Sequence, residues 1–254
     1  MRTRRIQEIE QYILEHQTVT LDQICEEFHI SMSTLRRDLG DLLQNNSIHK
    51  IYGGVTTQQP PRRELIPFGE RHIVNPDSKR RIAVRAAALV HDGDVIFVDS
   101  GTTTLYLADA LAEKQDITVL TNNLAFICRA MDFESMRIIS LSGTLNRKTY
   151  SFTGPATARV LENYNVSKAF LATTGFSSRN GVTNSSPSES DAKRAAVSRS
   201  ETVCLLADHS KFGSASLVTF CGFGDIDILV TDQTPPQELV STLTGAGVRI
   251  LLAD

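Results

Sequence analysis

The segment 31–41 constrains this chain most strongly, because it has the pattern of a short helix with a defined start and one buried face. Ser31 can accept a hydrogen bond from a free backbone N–H at the first turn of a helix. Leu35, Leu39 and Leu42 recur at helical spacing and predict one apolar stripe. We therefore predict a helix over this segment, packed through its leucines.

The polar residues of this helix are suited to contact nucleic acid. Ser33, Arg36 and Arg37 fall outside the leucine stripe. The arginine fork can grip guanine O6 and N7 or a phosphate, and a hydroxyl can bond either kind of group. Two arginines on a helix are more often a solvated face, so the interpretation depends on the neighbouring segments.

Those neighbouring segments complete a winged helix-turn-helix. Isoleucines spaced along 6–13 and apolar residues spaced along 21–28 predict two further helices, with the connection to the third at 29–30. Residues 48–57 alternate apolar and polar side chains around a Gly-Gly pair, which predicts a β-hairpin wing. We predict that residues 1–57 form a DNA-binding domain of this type.

Three stretches carry a family resemblance: Val-Thr-Leu-Asp-Gln-Ile-Cys at 19–25, Ile-Ser-Met-Ser-Thr-Leu-Arg-Arg-Asp-Leu at 30–39 and Tyr-Gly-Gly at 52–54. With them the chain resembles the DeoR family of bacterial transcriptional regulators. The resemblance implies a repressor with a large C-terminal effector domain. Together with the residue patterns it predicts these DNA-contacting residues: Ser31, Ser33, Thr34, Arg36, Arg37, Lys50, Tyr52 and Gly53.

Charge supports DNA binding only locally. The chain of 254 residues has a net charge of −3, and residues 1–57 hold six basic and eight acidic side chains. Basic residues concentrate at Arg2, Arg4 and Arg5, on the third helix and in 58–85. So small a basic footprint predicts weak binding by one copy, and hence a homo-oligomer, either a dimer or a tetramer, on double-stranded operator DNA.

Composition excludes several other classes of protein. A hydrophobic content of 41% is ordinary for a globular protein, and no apolar stretch approaches the ~20 residues of a membrane span. The charged N-terminus does not resemble a secretory signal. Cysteine and histidine spacings predict no metal site, and nothing calls for a cofactor. We expect a cytoplasmic protein whose cysteines, at 25, 128, 204 and 221, are all buried.

Residues 58–76 contain three prolines before 68 and predict a semi-extended linker. From 77 to 254 helical and strand-like segments alternate, which predicts an α/β domain with a mainly parallel sheet. The predicted helices of its first half cover 79–91 and 105–113. The predicted strands cover 94–98, 117–120, 137–141, 168–172, 202–206, 228–230 and 248–251.

One loop of this domain has the character of an anion site. Ser100-Gly101-Thr102-Thr103-Thr104 lies between a predicted strand and a predicted helix. A glycine permits close approach of a ligand, and hydroxyls and helix N–H groups can donate to phosphate oxygens. The alternative is that a threonine merely caps the helix. The segment is not a Walker loop, since no Gly-Lys-Ser/Thr follows.

Two further loops would lie at the same edge of a parallel sheet. One contains Thr121 and Asn122, and the other is Asp-His-Ser-Lys-Phe-Gly at 208–213. Lys211 could neutralise a phosphate, and Asp208 could accept hydrogen bonds from sugar hydroxyls. For each loop the alternative is an ordinary turn, with Lys211 on the surface.

These loops extend the DeoR resemblance over essentially the whole chain. The family's C-terminal domain is similar in fold to ribose-5-phosphate isomerase and the coenzyme A transferases, and the resemblance implies a phosphorylated sugar as effector. Glu189 and Lys193 match the family's Glu-x-x-x-Lys, although an i, i+4 salt bridge is the simpler explanation. The predicted effector-binding residues are Asp99, Ser100, Gly101, Thr102, Thr103, Thr104, Thr121, Asn122, Gly143, Glu189, Lys193, Asp208 and Lys211.

One departure from the family concerns specificity. Many members have an aspartate after a glycine where this chain reads Thr-Thr-Gly-Phe-Ser-Ser-Arg-Asn-Gly at 173–181. We expect the residues at 177–179 to influence which sugar is accepted. Two alternatives stay open: a phosphosugar isomerase using Asp208, Glu189 and Lys211 as acid and base, and a winged helix that contacts only protein.

Overall fold

The computed structural model describes residues 2–16, 18–43, 48–51, 53–56 and 66–253. The chain divides into two compact units, residues 1–62 and residues 63–254. Among the described residues no helix has both the length and the apolar character needed to cross a membrane. Each unit has its own hydrophobic core.

The first unit is a winged helix-turn-helix. Its elements are α1 (Arg2–His16), β1 (Thr18–Thr20), α2 (Leu21–Glu27), α3 (Met32–Leu42), β2 (His49–Ile51) and β3 (Gly54–Thr56). Strands β2 and β3 form the predicted hairpin, and β1, which the sequence did not indicate, pairs antiparallel with the other side of β3. The helical stripes meet in a core that includes Ile9, Ile13, Ile24, Leu35 and Leu39.

The second unit is built on a seven-stranded sheet in which every pairing is parallel. Its order is β15-β14-β12-β9-β4-β5-β6. The strands are β4 (Val95–Val98), β5 (Ile117–Thr121), β6 (Met136–Ser140), β9 (Val166–Ala172), β12 (Ser200–Leu206), β14 (Ile228–Thr231) and β15 (Arg249–Leu252). The predicted fold class, a winged helix-turn-helix joined to a mainly parallel α/β domain, is confirmed.

Helices cover both faces of this sheet. They are α4 (Phe68–His72), α5 (Pro76–Ala87), α6 (Leu107–Ala110), α7 (Leu124–Ala130), α8 (Pro155–Leu161), α9 (Pro187–Arg199) and α10 (Gln237–Gly245). Neighbouring residues of one strand enter different cores: Ile96 packs with Leu107 of α6, whereas Phe97 packs with Ala195 of α9. This alternation follows from the two-residue period of a strand.

Short antiparallel elements escaped prediction. They are the hairpin of β7 (Thr144–Asn146) with β8 (Ser151–Thr153), and a sheet of β10 (Gly175–Ser177), β11 (Gly181–Asn184) and β13 (Val218–Cys221). Strands of three or four residues are too short to show a periodic pattern. The residues at 177–179 form the turn between β10 and β11, where the hydroxyls of Ser178 and Thr242 lie 3.2 Å apart.

Helix boundaries also differ from expectation. Helix α5 begins three residues early because Asn75 has a left-handed backbone (φ 49°) and Pro76 occupies the first helical position, where its fixed φ is favourable. The predicted helix over 105–113 shortens to a 3-10 turn at Thr104–Tyr106 followed by α6. In the part of the predicted linker that is described, α4 belongs to the second unit: Phe68 is buried and donates its N–H to the Lys148 carbonyl.

The cysteine prediction was only partly correct. Cys204 and Cys221 are buried, and burial raises the pKa of each thiol to about 12. Cys25 is half-buried, and Cys128 is exposed on α7. The apolar neighbours of Cys128 misled the prediction, because a short helix turns only one of its faces toward the core.

Candidate DNA-binding surface and effector site

Helix α3 begins as predicted, with Ser31 as its cap. The Ser31 hydroxyl accepts a hydrogen bond from the Thr34 N–H at 3.3 Å and lies 2.9 Å from the hydroxyls of both Ser33 and Thr34. Arg36 and Arg37 are exposed on the helix, while the leucine stripe is buried. The arginines are therefore available to a partner, and the three hydroxyls form a small cluster at the N-terminus of the same helix.

A buried carboxylate holds α3 against α1. Asp38 is 1% exposed and accepts hydrogen bonds from Arg2 Nε at 3.1 Å and Arg5 Nε at 2.8 Å. Arg2 also pairs with Asp41 at 2.7 Å. We expected Arg2 and Arg5 to add to the basic DNA footprint, but their guanidinium groups are engaged in fixing α3. Arg36 and Arg37 are left as its outward-facing cations.

The wing depends on its two glycines. Gly53 is exposed with φ 73°, a left-handed conformation that glycine adopts without strain. A Cβ on Gly54 would collide with the Val19 carbonyl of β1, so the close pairing of these strands requires glycine. The side chain of Lys50 and the whole of Tyr52 lie outside the described residues.

In the second unit, the predicted effector residues follow neighbouring strands at their carboxyl ends. Asp99 follows β4, Asn122 follows β5 and Asp208 follows β12, with β9 between β12 and β4. Ligand sites of open α/β sheets form at this edge. The three predicted loops therefore converge, as expected for a parallel sheet.

A buried ion pair lies at the centre of this edge. Lys193 Nζ pairs with Asp99, whose side chain is fully buried, and also donates to the Ala172 carbonyl at 2.8 Å. The same Asp99 oxygen accepts the Ala172 N–H at 3.0 Å. These contacts join the end of β4 to the end of β9.

Glu189 is held by three polar side chains. It accepts hydrogen bonds from Ser100 at 3.0 Å, Ser151 at 2.9 Å and Asn184 at 3.2 Å. Lys193, one helical turn along, pairs with Asp99 instead. The simpler explanation of these two residues as an i, i+4 salt bridge was therefore wrong, and α9 sends both of them into the site.

The threonines of the 99–104 loop have different tasks. The Thr104 hydroxyl donates to the Asp99 and Gly101 carbonyls at 2.6 and 3.0 Å and accepts the Gly101 N–H, so it fixes the loop itself. Thr103 occupies the capping position of the 3-10 turn but makes no cap hydrogen bond with its side chain. The alternative of a purely capping threonine is not supported, and the buried hydroxyls of Thr102 and Thr103 are available to a ligand.

Glycine is required at position 101. A Cβ there would overlap the Cβ of Ala172 on the adjacent strand and lie 2.9 Å from the Thr104 hydroxyl. Position 143 also requires glycine, because its φ is 151° and a Cβ there would lie too close to Thr157. Gly143 lies in the exposed turn after β6, and any contact it makes with a ligand would be through its backbone.

The two asparagines in the loop after β5 make different contacts. Thr121 donates to the Val98 carbonyl at 2.6 Å, and Asn123 Nδ2 donates to the Asp99 and Gly101 carbonyls at 3.2 Å each. Asn123 was not among the predicted site residues, although it is the group that ties this loop to the first one. Asn122 is fully buried, and its Oδ1 has no hydrogen-bond partner among the described residues.

Asp208 presents a second free acceptor. Its Oδ1 accepts hydrogen bonds from the Ser210 N–H at 2.9 Å and from Asn75 Nδ2 at 3.2 Å. Burial by itself would raise the pKa of Asp208, but Lys211 and these hydrogen bonds lower it below the usual value. The side chain is thus ionised at neutral pH, and within the described chain its buried Oδ2 has no partner.

The segment from α4 to α5 adds basic residues that sequence reasoning missed. Lys79 is buried and donates to the Arg71 and Val74 carbonyls at 2.5 and 2.6 Å. Burial lowers the pKa of Lys79 to about 8, although Asp208 partly offsets this effect. The excess of basic residues in 58–85 was the available signal, but it was interpreted as facing DNA.

Seven charged side chains at this edge sum to +1, and an Asp232–His209 pair lies beside Asp208 at the end of the neighbouring strand β14. In the set of seven, four cations lie close to three carboxylates. The cations are Arg71, Lys79, Lys193 and Lys211, and the carboxylates are Asp99, Glu189 and Asp208. In the described part of the chain no group of three His, Cys, Asp or Glu side chains is placed to hold a metal ion.

Comparisons with known proteins identify both parts of the chain. Residues 5–60 match the model of the DeoR-like helix-turn-helix domain, and residues 74–233 match that of the DeoR C terminal sensor domain. Among solved structures, ribose 5-phosphate isomerase A of Methanocaldococcus jannaschii aligns over 54% of this chain and 55% of its own, with 19% identity and a TM-score of 0.41. That likeness is too distant to support an argument about function.

The curated relatives are regulators, not enzymes. The HTH-type transcriptional regulator IolR of Bacillus subtilis is 40% identical over 94% of both chains. The HTH-type transcriptional repressor GlcR of the same organism is 31% identical over 98% of this chain and 96% of its own. The glycerol-3-phosphate regulon repressor of Escherichia coli is 29% identical over 98% of both. This chain therefore belongs to the DeoR family of transcriptional regulators.

Proposed function

We propose that this protein represses a carbohydrate-utilisation operon and that a phosphorylated sugar, or a related catabolite, weakens its binding to operator DNA. The observation that carries the effector half is the set of charged and polar groups at the sheet edge. Four cations outnumber three carboxylates there, apart from the Asp232–His209 pair, and two buried acceptors, Asp208 Oδ2 and Asn122 Oδ1, have no partner among the described residues. An anion suits the positive charge, and hydroxyl groups suit the acceptors. A phosphorylated sugar has both.

The names of relatives support repression and a phosphorylated effector. Two of those reported are called repressors, and one is named for the glycerol-3-phosphate regulon. We propose a cytoplasmic homo-oligomer, a dimer or tetramer, since paired half-sites match protein symmetry. The DNA-binding domain would end near residue 57, and α4 suggests that the effector domain starts by residue 66 rather than at 77.

For DNA contact we propose Arg36 and Arg37 with the hydroxyls of Ser33 and Thr34, in the major groove. Ser31 would act mainly as the helix cap. Lys50, Tyr52 and Gly53 would place the wing along the backbone. Base contacts would specify the site, and the remaining contacts would position the protein on the duplex.

The test has two stages. Genomic fragments retained by the purified full chain at near-physiological salt are sequenced, and we expect a few promoter fragments with a repeated half-site. Operator binding is then measured by fluorescence anisotropy with aldose and ketose phosphates and with the matching free sugars. Uniform, salt-labile retention of fragments would contradict a specific regulator, and an operator affinity unmoved by every phosphate would contradict the effector assignment.

A further inference from the structure

Arg71 of α4 is a half-buried cation whose guanidinium group has unused hydrogen-bonding capacity. Its Nε donates to the Ile66 carbonyl at 3.0 Å, which fixes the start of the guanidinium group. Its Nη2 is buried and has no hydrogen-bond partner among the described residues. A buried donor without a partner costs free energy, so such a group in a native structure points to a water, ion or ligand that completes its hydrogen bonds.

The guanidinium group belongs to the same charge cluster as the predicted effector residues. Burial lowers the pKa of Arg71, and the negative charges of Glu189 and Asp99 offset part of that effect. Asp99 pairs with Lys193, Glu189 accepts hydrogen bonds from three polar side chains, and neither carboxylate accepts a hydrogen bond from Arg71 Nη2. Nη2 is therefore left to bind a group that is not part of the described protein, and an arginine favours an anion.

The α4 to α5 corner also touches Asp208, another residue with an unpartnered atom among the described residues. Asn75 follows α4 in a left-handed conformation and donates to Asp208 Oδ1 at 3.2 Å. Lys79 Nζ holds the carbonyls of Arg71 and Val74 and thereby fixes the path of the chain between α4 and Asn75. A ligand that binds Asp208 or Arg71 therefore acts directly on the position of the α4 to α5 corner.

Helix α4 is also packed directly against elements that carry site residues. The His72 ring stacks on Tyr106, directly after the threonine loop, with centroids 5.5 Å apart. The Phe68 ring stacks on Tyr150 at 5.2 Å, next to Ser151, which donates to Glu189. In sequence α4 is also the first described helix after the DNA-binding unit.

We propose that Arg71 binds the anionic group of the effector and that Asn75 couples occupancy of the site to α4, so that this corner relays the signal toward the DNA-binding unit. This inference rests on the proposed function, since it names how that same site binds and signals. Arg71 is a ligand-binding residue, whereas Asn75 is a positioning residue that acts through Asp208.

The experiment measures two quantities on the full chain: affinity for phosphates and effector response of operator binding. Probes are inorganic phosphate, glucose 6-phosphate, ribose 5-phosphate and fructose 6-phosphate, each with its unphosphorylated counterpart where one exists. Binding is followed by calorimetry, and operator affinity by anisotropy with and without the best probe. Variants are Arg71→Gln, Arg71→Lys and Asn75→Gly, with Arg85→Gln on the exposed face of α5 as the control.

We expect Arg71→Gln to weaken binding of the best phosphate by roughly 10- to 100-fold, as for loss of a charged hydrogen bond, with operator affinity in the absence of ligand unchanged. Arg71→Lys keeps the charge and should lose less, which separates anion binding from a folding defect. Asn75→Gly keeps the left-handed backbone, so it should bind the phosphate within about threefold but lose most of a coupling that is typically about 5- to 150-fold.

The outcomes separate the two proposals. If the wild-type chain responds to a phosphate and Arg71→Gln binds that phosphate equally well, the anion role of Arg71 is wrong although the proposed function stands. If Asn75→Gly keeps the full response of operator binding, the signal does not pass through this corner. If the wild-type chain responds to no phosphate, the proposed effector class fails and this inference fails with it.

Discussion

Two buried aspartates, one in each unit, show how a structural charge differs from a functional one. Asp38 in the DNA-binding unit receives the guanidinium groups of Arg2 and Arg5, and each of its oxygens has a partner. At the sheet edge Asp99 pairs with Lys193, but its neighbours Asp208 and Asn122 each keep an oxygen without a partner among the described residues. Satisfied buried charges hold a fold together, and unsatisfied ones indicate where a ligand belongs.

Replacing Lys193 by methionine tests the ion pair between Lys193 and Asp99. We expect this variant to lose the most stability. It leaves the Asp99 carboxylate buried without a cation, which typically costs about 3–5 kcal/mol. Urea unfolding measures the loss. Lys168→Met is the matched control, since the Lys168–Asp94 pair is partly exposed (17% and 14%) and should cost much less. Equal losses in the two variants would show that burial of the pair does not matter.

Replacing Asp38 by alanine tests whether the clamp between α1 and α3 is structural. We expect a loss of about 2 kcal/mol, because charge-assisted hydrogen bonds are broken while the two half-exposed arginines can return to water. Asp41→Ala, at an exposed pair, should cost under about 1 kcal/mol. Thermal unfolding of both variants gives the comparison. An unfolding midpoint temperature equal to that of the wild type for Asp38→Ala would show that the contacts of Asp38 with Arg2 and Arg5 do not stabilise the fold.

Replacing Arg36 by alanine tests the exposed half of the same helix. Because Arg36 contacts no buried partner, stability should be unchanged, whereas operator affinity should fall by ~1–3 kcal/mol for the loss of one base contact. Arg137→Ala, an exposed arginine on β6, is the control. Anisotropy with the selected operator and a scrambled duplex measures specificity, and unchanged discrimination would show that Arg36 does not contact bases.

Replacing Thr103 and Thr104 by valine, one at a time, compares two adjacent hydroxyls of one loop. Thr103→Val should lower effector affinity by about 1 kcal/mol, roughly fivefold, with stability preserved, because its hydroxyl makes no cap hydrogen bond. Thr104→Val should instead lower stability, because three hydrogen bonds of the loop are lost. Calorimetry and thermal unfolding distinguish them, and a reversed pattern would exchange the two assigned roles.

Sequence patterns were sufficient to predict the features that depend on regular spacing of residues. The leucine stripe of α3, the cap at Ser31 and the parallel strands all follow from spacing of three, four or two residues. Convergence of the loops at 99–104, 121–122 and 208–211 then follows from parallel order alone. Here local chemistry and global fold point to the same arrangement.

The sequence did not reveal contacts between residues that are far apart in the chain. Nothing in the spacing shows that Arg2 meets Asp38, or that Lys193 reaches Asp99 rather than Glu189 on its own helix. Arg71 was assigned to a linker because prolines before it break periodicity, although its charge interacts with those of Glu189 and Asp99. Such partners are chosen by tertiary packing, which a single sequence does not reveal.

The order of the sheet has a consequence for how such sensors can diversify. The chain leaves β4 toward α6 on one face of the sheet, and it leaves β9 toward α9 on the other. A crevice between divergent connections exists whatever residues line it. Several of its predicted lining residues lie in loops at the strand ends, while Glu189 and Lys193 lie on α9. Exchange of whole loops between relatives should therefore retune which metabolite is sensed without rebuilding the scaffold, which makes this domain a practical starting point for engineered biosensors.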